Sequence, residues 1–160
     1  TGAKFTRLYF KDCYIDGTTD FIFGPSTALF ENCMIHSKRN SYVTAASTPK
    51  EAKYGYIFKH CKLTAEPGVD KVYLGRPWRP YAYTLFIECE LGKHIVPAGW
   101  HNWGKQSNEE TARYMEYKNT GEGANVSERV AWSKQLTKKE AEAVTVDAIF
   151  GTQSNWNPID

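Results

Sequence analysis

Four stretches of this chain can be written under one another: Tyr9-Phe10-Lys11-Asp12-Cys13-Tyr14-Ile15, Leu29-Phe30-Glu31-Asn32-Cys33-Met34-Ile35, Ile57-Phe58-Lys59-His60-Cys61-Lys62-Leu63 and Leu85-Phe86-Ile87-Glu88-Cys89-Glu90-Leu91. Each has Phe three residues before Cys and an aliphatic residue two after it. The cysteines follow one another at steps of 20, 28 and 28 residues. A short strand recurring at a period of roughly 20–30 residues marks a solenoid, in which each coil stacks on the last. Residues two apart on a strand share a face, so Cys13 faces with Ile15, Cys33 with Ile35, Cys61 with Leu63 and Cys89 with Leu91. With coils stacked at the sheet spacing of about 4.8 Å, the thiols form an internal ladder.

Other uses of these cysteines fit less well. No Cys-x-x-Cys pair exists, and one Cys per coil does not converge on a tetrahedral zinc centre. The parallel side-chain vectors of stacked coils disfavour disulfides. Four equivalent core positions do not single out a thiol nucleophile. Free Cys packs as a small hydrophobe, which leaves the redox compartment unread from cysteine usage.

Between the repeats, Ser37-Lys38-Arg39-Asn40, Ser47 to Tyr54 and Ala65-Glu66-Pro67-Gly68-Val69-Asp70 have the composition of turns. Asp20-Phe21-Ile22-Phe23, Tyr42-Val43-Thr44-Ala45, Val72-Tyr73-Leu74-Gly75 and His94-Ile95-Val96 read as further short strands. Together they predict an all-β parallel β-helix over residues 1–104. Residues 105–160 read as a tail of the same domain: one more strand at Tyr114 to Asn119, a Gly-rich loop at Thr120 to Asn125, and a short helix. Thr137-Lys138-Lys139-Glu140 forms a capping box that starts the helix, which is expected to run to about Val144. Trp132, Phe150 and Trp156 are expected to anchor the tail on the solenoid. Asn125-Val126-Ser127 matches an N-glycosylation sequon, a pattern short enough to arise by chance.

The bulk properties fit one domain: 160 residues, net charge +2, and enough apolar and aromatic residues for a core. No Lys/Arg block suggests a nucleic-acid stripe or a polybasic membrane anchor. No apolar run approaches the ~20 residues that span a bilayer. Thr1 is not a natural start and no leader follows it, so a mature product, a domain or an excised fragment is expected.

Gly17-Thr18-Thr19-Asp20-Phe21-Ile22-Phe23-Gly24 places one carboxylate in an apolar, strand-forming run. An ionised Asp there loses solvation unless a cation or donor meets it. Arg76, in Leu74-Gly75-Arg76-Pro77-Trp78, offers paired planar donors suited to a carboxylate. The plainer alternative is that Asp20 caps a surface turn.

The first of these segments resembles the G-T-x-D-F-I-F-G signature of pectin methylesterases, and the second resembles their L-G-R-P-W signature. The resemblance continues through Gly99-Trp100-His101-Asn102-Trp103 and Glu116-Tyr117-Lys118-Asn119-Thr120-Gly121 to Trp156-Asn157-Pro158, nearly the whole chain. It implies a right-handed parallel β-helix, and it implies that Asp20 is the nucleophile on a galacturonate methyl ester, with release of methanol and hydrolysis of the acyl-enzyme. A carboxylate is a weak nucleophile and must be held ionised and aimed. Arg76 is expected to do both. Trp78 matches the family's cleft Trp, where an aromatic face packs on a sugar ring. Phe23, Tyr73, Trp100 and Trp103 are further candidates for substrate contact, each with simple packing as its alternative. No metal or other cofactor is expected.

The family also carries a second Asp, the general acid/base, in a Y-Q-D-T-L motif, and glutamines that stabilise the oxyanion. Neither that motif nor the upstream Q-A-V-A-L occurs here. Asp12 and Asp16 are poor substitutes by position. The chain therefore resembles the C-terminal half of a pectin methylesterase and is expected to be nearly inactive alone, since losing general acid/base help costs about 10²–10⁴ in rate. An open coil end would favour self-association. The alternative from another class is a non-catalytic β-helix that binds polygalacturonate. A calcium-assisted lyase would need an acidic cluster that is not apparent. Pectin as the partner implies export to the periplasm, the medium or the cell wall.

Overall fold

Phe and Cys three positions apart cannot both face inward from one unbroken strand. In the computed structural model, which describes residues 6–151 and 158–159, each stretch is broken between them. β1 (Arg7–Lys11) and β2 (Tyr14–Gly17) meet at a corner where Asp12 has φ +54°. The same left-handed corner recurs at Asn32, His60, Glu88 and Lys118, with φ between +45° and +54°. This turn changes the inward phase. Phe30, Cys33 and Ile35 are all buried, as are Phe58, Cys61, Leu63, Phe86, Cys89 and Leu91. The expected single strands are therefore pairs of strands from two different sheets.

A third strand, β3 (Ile22–Gly24), completes the first coil. The second coil is β4 (Thr27–Glu31), β5 (Met34–Ser37) and β6 (Tyr42–Ala46), and the third is β7 (Tyr56–Lys59), β8 (Lys62–Ala65) and β9 (Tyr73–Gly75). In the fourth, β10 (Tyr83–Ile87) and β11 (Glu90–Leu91) are regular. Its third position is reduced to isolated bridges Val72↔Ile95 and Gly75↔Trp100, so the strand expected at His94–Val96 is a bridge only. A short helix α1 (Ser107–Thr111) leads into β12 (Arg113–Tyr117), and β13 (Lys134–Gln135) adds a last rung. The three sheets have the orders β1-β4-β7-β10-β12-β13, β11-β8-β5-β2 and β3-β6-β9, and the registered pairs are parallel. This is a parallel β-helix.

Register places like over like. Phe10, Phe30, Phe58 and Phe86 stack with ring centroids 4.8, 4.5 and 4.4 Å apart and nearly coplanar rings. All four cysteines are free thiols, and only Cys13 is not fully buried. The Cys33, Cys61 and Cys89 S–H groups donate weakly to carbonyls of the preceding coil at Phe10, Phe30 and Phe58.

The phenylalanine column ends at Glu116, which pairs in register with Phe86. Its carboxylate is 1% exposed and receives Arg129 Nε at 2.8 Å and Nη2 at 3.2 Å. Arg129 also donates to the carbonyls of Gly123 and Pro97. A buried ion pair survives only when such bonds satisfy its remaining donors.

The tail covers the outer face of the longest sheet. Val144, Ile149 and Phe150 pack with Leu29, Ile57 and Leu85. The capping box at Thr137 and Glu140 is present, but its helix α2 (Lys138–Glu142) stops earlier than expected. A second helix, α3 (Val146–Phe150), follows with Thr145 as its N-cap. Phe150 is the tail's anchor; Trp132 instead closes the tube end, its ring 6.0 Å from that of Tyr114. Trp156 lies outside the described residues.

His94 is buried, and its Nε2 has no partner among the described residues. Burial, aided by the nearby His36, pushes its pKa from 6.5 down to about 4. Above pH 6.5 neither folded nor unfolded chain binds this proton. As pH falls from 6.5 to 4 the unfolded chain takes it up and the folded chain does not, so stability drops. Urea unfolding should show a loss of roughly 3 kcal/mol between pH 7 and pH 4 from this residue, absent in His94→Leu. Glu116→Ala, which strands a buried guanidinium, should cost about 3–5 kcal/mol in the same assay at pH 7.

Candidate functional site

Two close backbone approaches shape the site. A Cβ on Gly17 would lie 2.2 Å from Phe21 Cβ, and one on Gly75 would lie 2.2 Å from Thr44 Oγ1. Only glycine fits at either place. Between Gly17 and β3 the chain turns, and Asp20 takes φ +50°, a left-handed conformation that Asp tolerates better than most residues. The Asp20 N–H donates to the Tyr42 carbonyl at 2.9 Å, which ties the turn to the next coil. Asp20 thus precedes the strand rather than lying within it.

Arg76 follows β9, two coils away, a separation of about 9–10 Å at the spacing of stacked strands. Its side chain crosses the intervening coil over the Tyr42 ring. The guanidinium carbon is 3.9 Å from the Tyr42 centroid and 3.7 Å from the Trp103 centroid, between the two rings. Nε reaches Asp20 Oδ1 at 3.0 Å and Nη2 reaches Oδ2 at 2.7 Å. Both side chains are about one-fifth exposed, so the pair opens to solvent on one side. Burial works to lower the Arg76 pKa, and the bonds and charge of Asp20 outweigh it, so the net shift is upward. His101 stands beside the Tyr42 and Tyr73 rings, and its Nδ1 accepts the Trp103 N–H at 3.0 Å. Burial and then the Arg76 charge lower its pKa, a shift in the direction that favours the neutral ring this acceptor requires.

A cleft of about 320 Å³ opens over the pair, lined by Thr19, Asp20, Phe23, Ala45, Trp78 and Trp103. Phe23 pairs in register with the small Ala45, which leaves room on the cleft floor. Phe23 and Trp78 are 63% and 47% exposed and meet edge to face at 5.8 Å. Of the residues expected at the site, Asp20, Arg76, Phe23, Trp78 and Trp103 come together. Tyr73 stands one layer back, stacked on Tyr42 at 5.2 Å. Trp100 does not belong to the cleft. It is 1% exposed and stacked on Tyr114 at 4.3 Å, because its bridge to Gly75 holds it at a core position.

Tyr42 and His101 escaped the sequence reading. Register does not reveal Tyr42 either: it pairs with Tyr73, and Thr44 with Gly75, so only the course of the Arg76 side chain brings the guanidinium over its ring. Among the described residues no second carboxyl group lines the cleft. Asp16 faces Lys38 at 3.8 Å, and Asp12 accepts from Asn32 at a corner. Among the described residues no three His, Cys, Asp or Glu side chains are grouped to hold a metal. The arrangement supplies an anion fixed by a planar cation, with acceptor capacity left on both oxygens and aromatic walls for an apolar ring face.

A family model described as Pectinesterase matches residues 3–153. Pectinesterase 31 of Arabidopsis thaliana is 44% identical over 136 residues, covering 84% of this chain and 43% of that protein. The pectin methylesterase from carrot superimposes with a TM-score of 0.85 at 34% identity, over 91% of this chain and 50% of that one. A pectin methylesterase solved in complex with a hexasaccharide gives a TM-score of 0.79 at 30% identity, over 96% and 53%. The chain thus spans about half the length of these relatives. The fold shared with them is the right-handed parallel β-helix.

The sandwich over Arg76 is testable without turnover. The Arg76 Nε–H resonance should be shifted upfield by the two rings and should exchange slowly with water. Trp103→Leu should move it downfield and speed exchange by roughly threefold, as loss of about 0.5–1 kcal/mol of cation–π attraction implies.

Proposed function

The chain belongs to the pectinesterase family, and from that premise we propose that its cleft is the ester-cleaving part of a pectin methylesterase, with Asp20 as nucleophile. The observation that carries this reading is the two-point grip of Arg76 on Asp20 beneath an aromatic-walled cleft. Asp20 attacks the ester carbonyl of a galacturonate unit. The C–O bond to the methoxy group breaks, methanol leaves with a proton, and a mixed anhydride on Asp20 remains. Water then hydrolyses that anhydride to the galacturonate carboxylate and free Asp20. Arg76 aims the carboxylate throughout. Trp78, Phe23 and Trp103 flank the sugar, and a hexasaccharide bound to a related enzyme supports a chain-like ligand.

The general acid/base and the oxyanion donors come from outside these 160 residues on this reading, because the sequence holds no Gln-Asp pair and the described residues place no second carboxyl in the cleft. The chain alone is then nearly inactive. Leu8, Phe10, Ile15 and Phe21 line an apolar opening of about 280 Å³ at the first coil, which supports self-association. Acting on a wall polymer, the protein works outside the cytoplasm. That the described residues place no second carboxyl in the cleft favours one other reading, a polygalacturonate-binding module.

Methanol release from highly methylated pectin separates the two. It should be near background for this chain and strong for a longer chain carrying the Gln-Asp segment. In the longer chain Asp20→Ala should abolish it, and Arg76→Ala should lower it by about 10²–10³ without changing the fold. No release from either chain would leave the binding module as the better description.

A further inference from the structure

The Arg76 guanidinium lies between two rings that are held in different ways. Tyr42 starts β6, where the sheet pairs it with Tyr73. Trp103 lies on no strand and takes φ +61°, a conformation that a bulky residue adopts only where its surroundings impose it. Its ring position therefore depends on what fixes residues 102–104.

Side chains do so. His101 Nδ1 accepts the Trp103 N–H at 3.0 Å, and Asn102 Oδ1 accepts the Gly104 N–H at 2.8 Å. The second bond identifies the oxygen end of the Asn102 amide, so its NH2 is the end that meets Glu109 Oε1 at 2.9 Å. The Asn102 carbonyl accepts from Asn108 Nδ2, also at 2.9 Å, and Asn108 is only 5% exposed. Glu109 and Asn108 both belong to α1, which is anchored by the strand after it. The Ala112 N–H donates to the Asn108 carbonyl at 2.9 Å and the Arg113 N–H to the Ala82 carbonyl at 2.7 Å. The Arg113 guanidinium reaches the carbonyls of Ala52 and Tyr81 at 2.6 Å each. The Trp103 loop thus hangs from a rigid frame.

We propose that Asn108 and Glu109 are positioning residues for the Asp20–Arg76 pair, holding Trp103 against the guanidinium through the main chain and amide of Asn102. Its consequence for turnover rests on the pectin methylesterase reading above. The bonds of these two side chains go to Asn102, and those that hold Asp20 come from Arg76, so the influence passes through the Trp103 ring. With either bond lost, the loop relaxes, Trp103 leaves the face of the guanidinium, and Arg76 gains freedom to swing away from Asp20. A weak nucleophile that must be aimed then loses rate, since misplacing a reacting group by about 1 Å costs up to about 10²-fold.

The test follows the Arg76 Nε–H resonance of this chain across variants, with Trp103→Leu as the reference for a lost ring. Asn108→Leu and Glu109→Leu should each move the resonance downfield toward that reference and speed its exchange roughly twofold. Glu109→Gln removes the charge but keeps the acceptor oxygen, so the resonance should stay in place. An unmoved resonance in Glu109→Leu, or an equal movement in Glu109→Gln, would overturn the proposal, and this pair decides it even where the buried Asn108→Leu unfolds the chain. In the longer chain that carries the Gln-Asp segment, Glu109→Leu should lower kcat for methanol release roughly tenfold and Glu109→Gln should recover it. Full turnover with a displaced resonance would overturn the positioning role and leave the esterase reading standing. No release from the unaltered longer chain would overturn the esterase reading, while the resonance still decides whether α1 holds the ring.

Discussion

Parallel stacking of coils in register, at about 4.8 Å per step, is the constraint on which the rest of this structure depends. It forces equivalent residues of successive coils into contact, so that one good choice is repeated. Phenylalanine at the end of the first strand of each coil gives a continuous ring stack, cysteine gives a column of small apolar groups, and Ile15, Ile35, Leu63 and Leu91 give a third. Stacking also demands an ending. In the column where Phe86 would need another ring, β12 supplies Glu116, and its buried charge is met by Arg129.

The candidate site follows from the same constraint. Successive coils contribute Asp20, then Tyr42, then Arg76, then Trp103, and each interacts with its neighbours in the stack. A rigid scaffold of this kind can aim a weak nucleophile, because the arginine that holds it is clamped between two rings fixed to separate coils. Asp20 and Trp103 both lie at positive φ, at +50° and +61°. The same left-handed conformation recurs at Asp12, Asn32, His60, Tyr81, Glu88 and Lys118, so it belongs to the turns of the coils and not to the site alone.

The relation to pectin methylesterases covers almost all of this chain and about half of theirs. What these residues contain is a carboxylate, the arginine that grips it and the aromatic walls around them.

Much was legible in the sequence because repetition and unlikely charge placement are local signals. The Phe-x-x-Cys-x-aliphatic repeat announced stacked coils, and an Asp in an apolar run announced a partner that proved to be Arg76. The capping box at Thr137 was readable for the same reason, whereas α3, capped by Thr145 alone, carried a weaker pattern. The corner at Asp12, Asn32, His60, Glu88 and Lys118 was not readable, since Glu and Lys have no preference for positive φ and only closure of the coil imposes it. Trp100 and Trp103, three residues apart and equally aromatic, were indistinguishable until the bridge to Gly75 buried one and left the other over Arg76. The sequence by itself determined the coil and the charged pair, through period and composition. Tertiary structure alone decided which residues of neighbouring coils meet, because that depends on register between segments 20 to 30 residues apart, a property no single segment encodes.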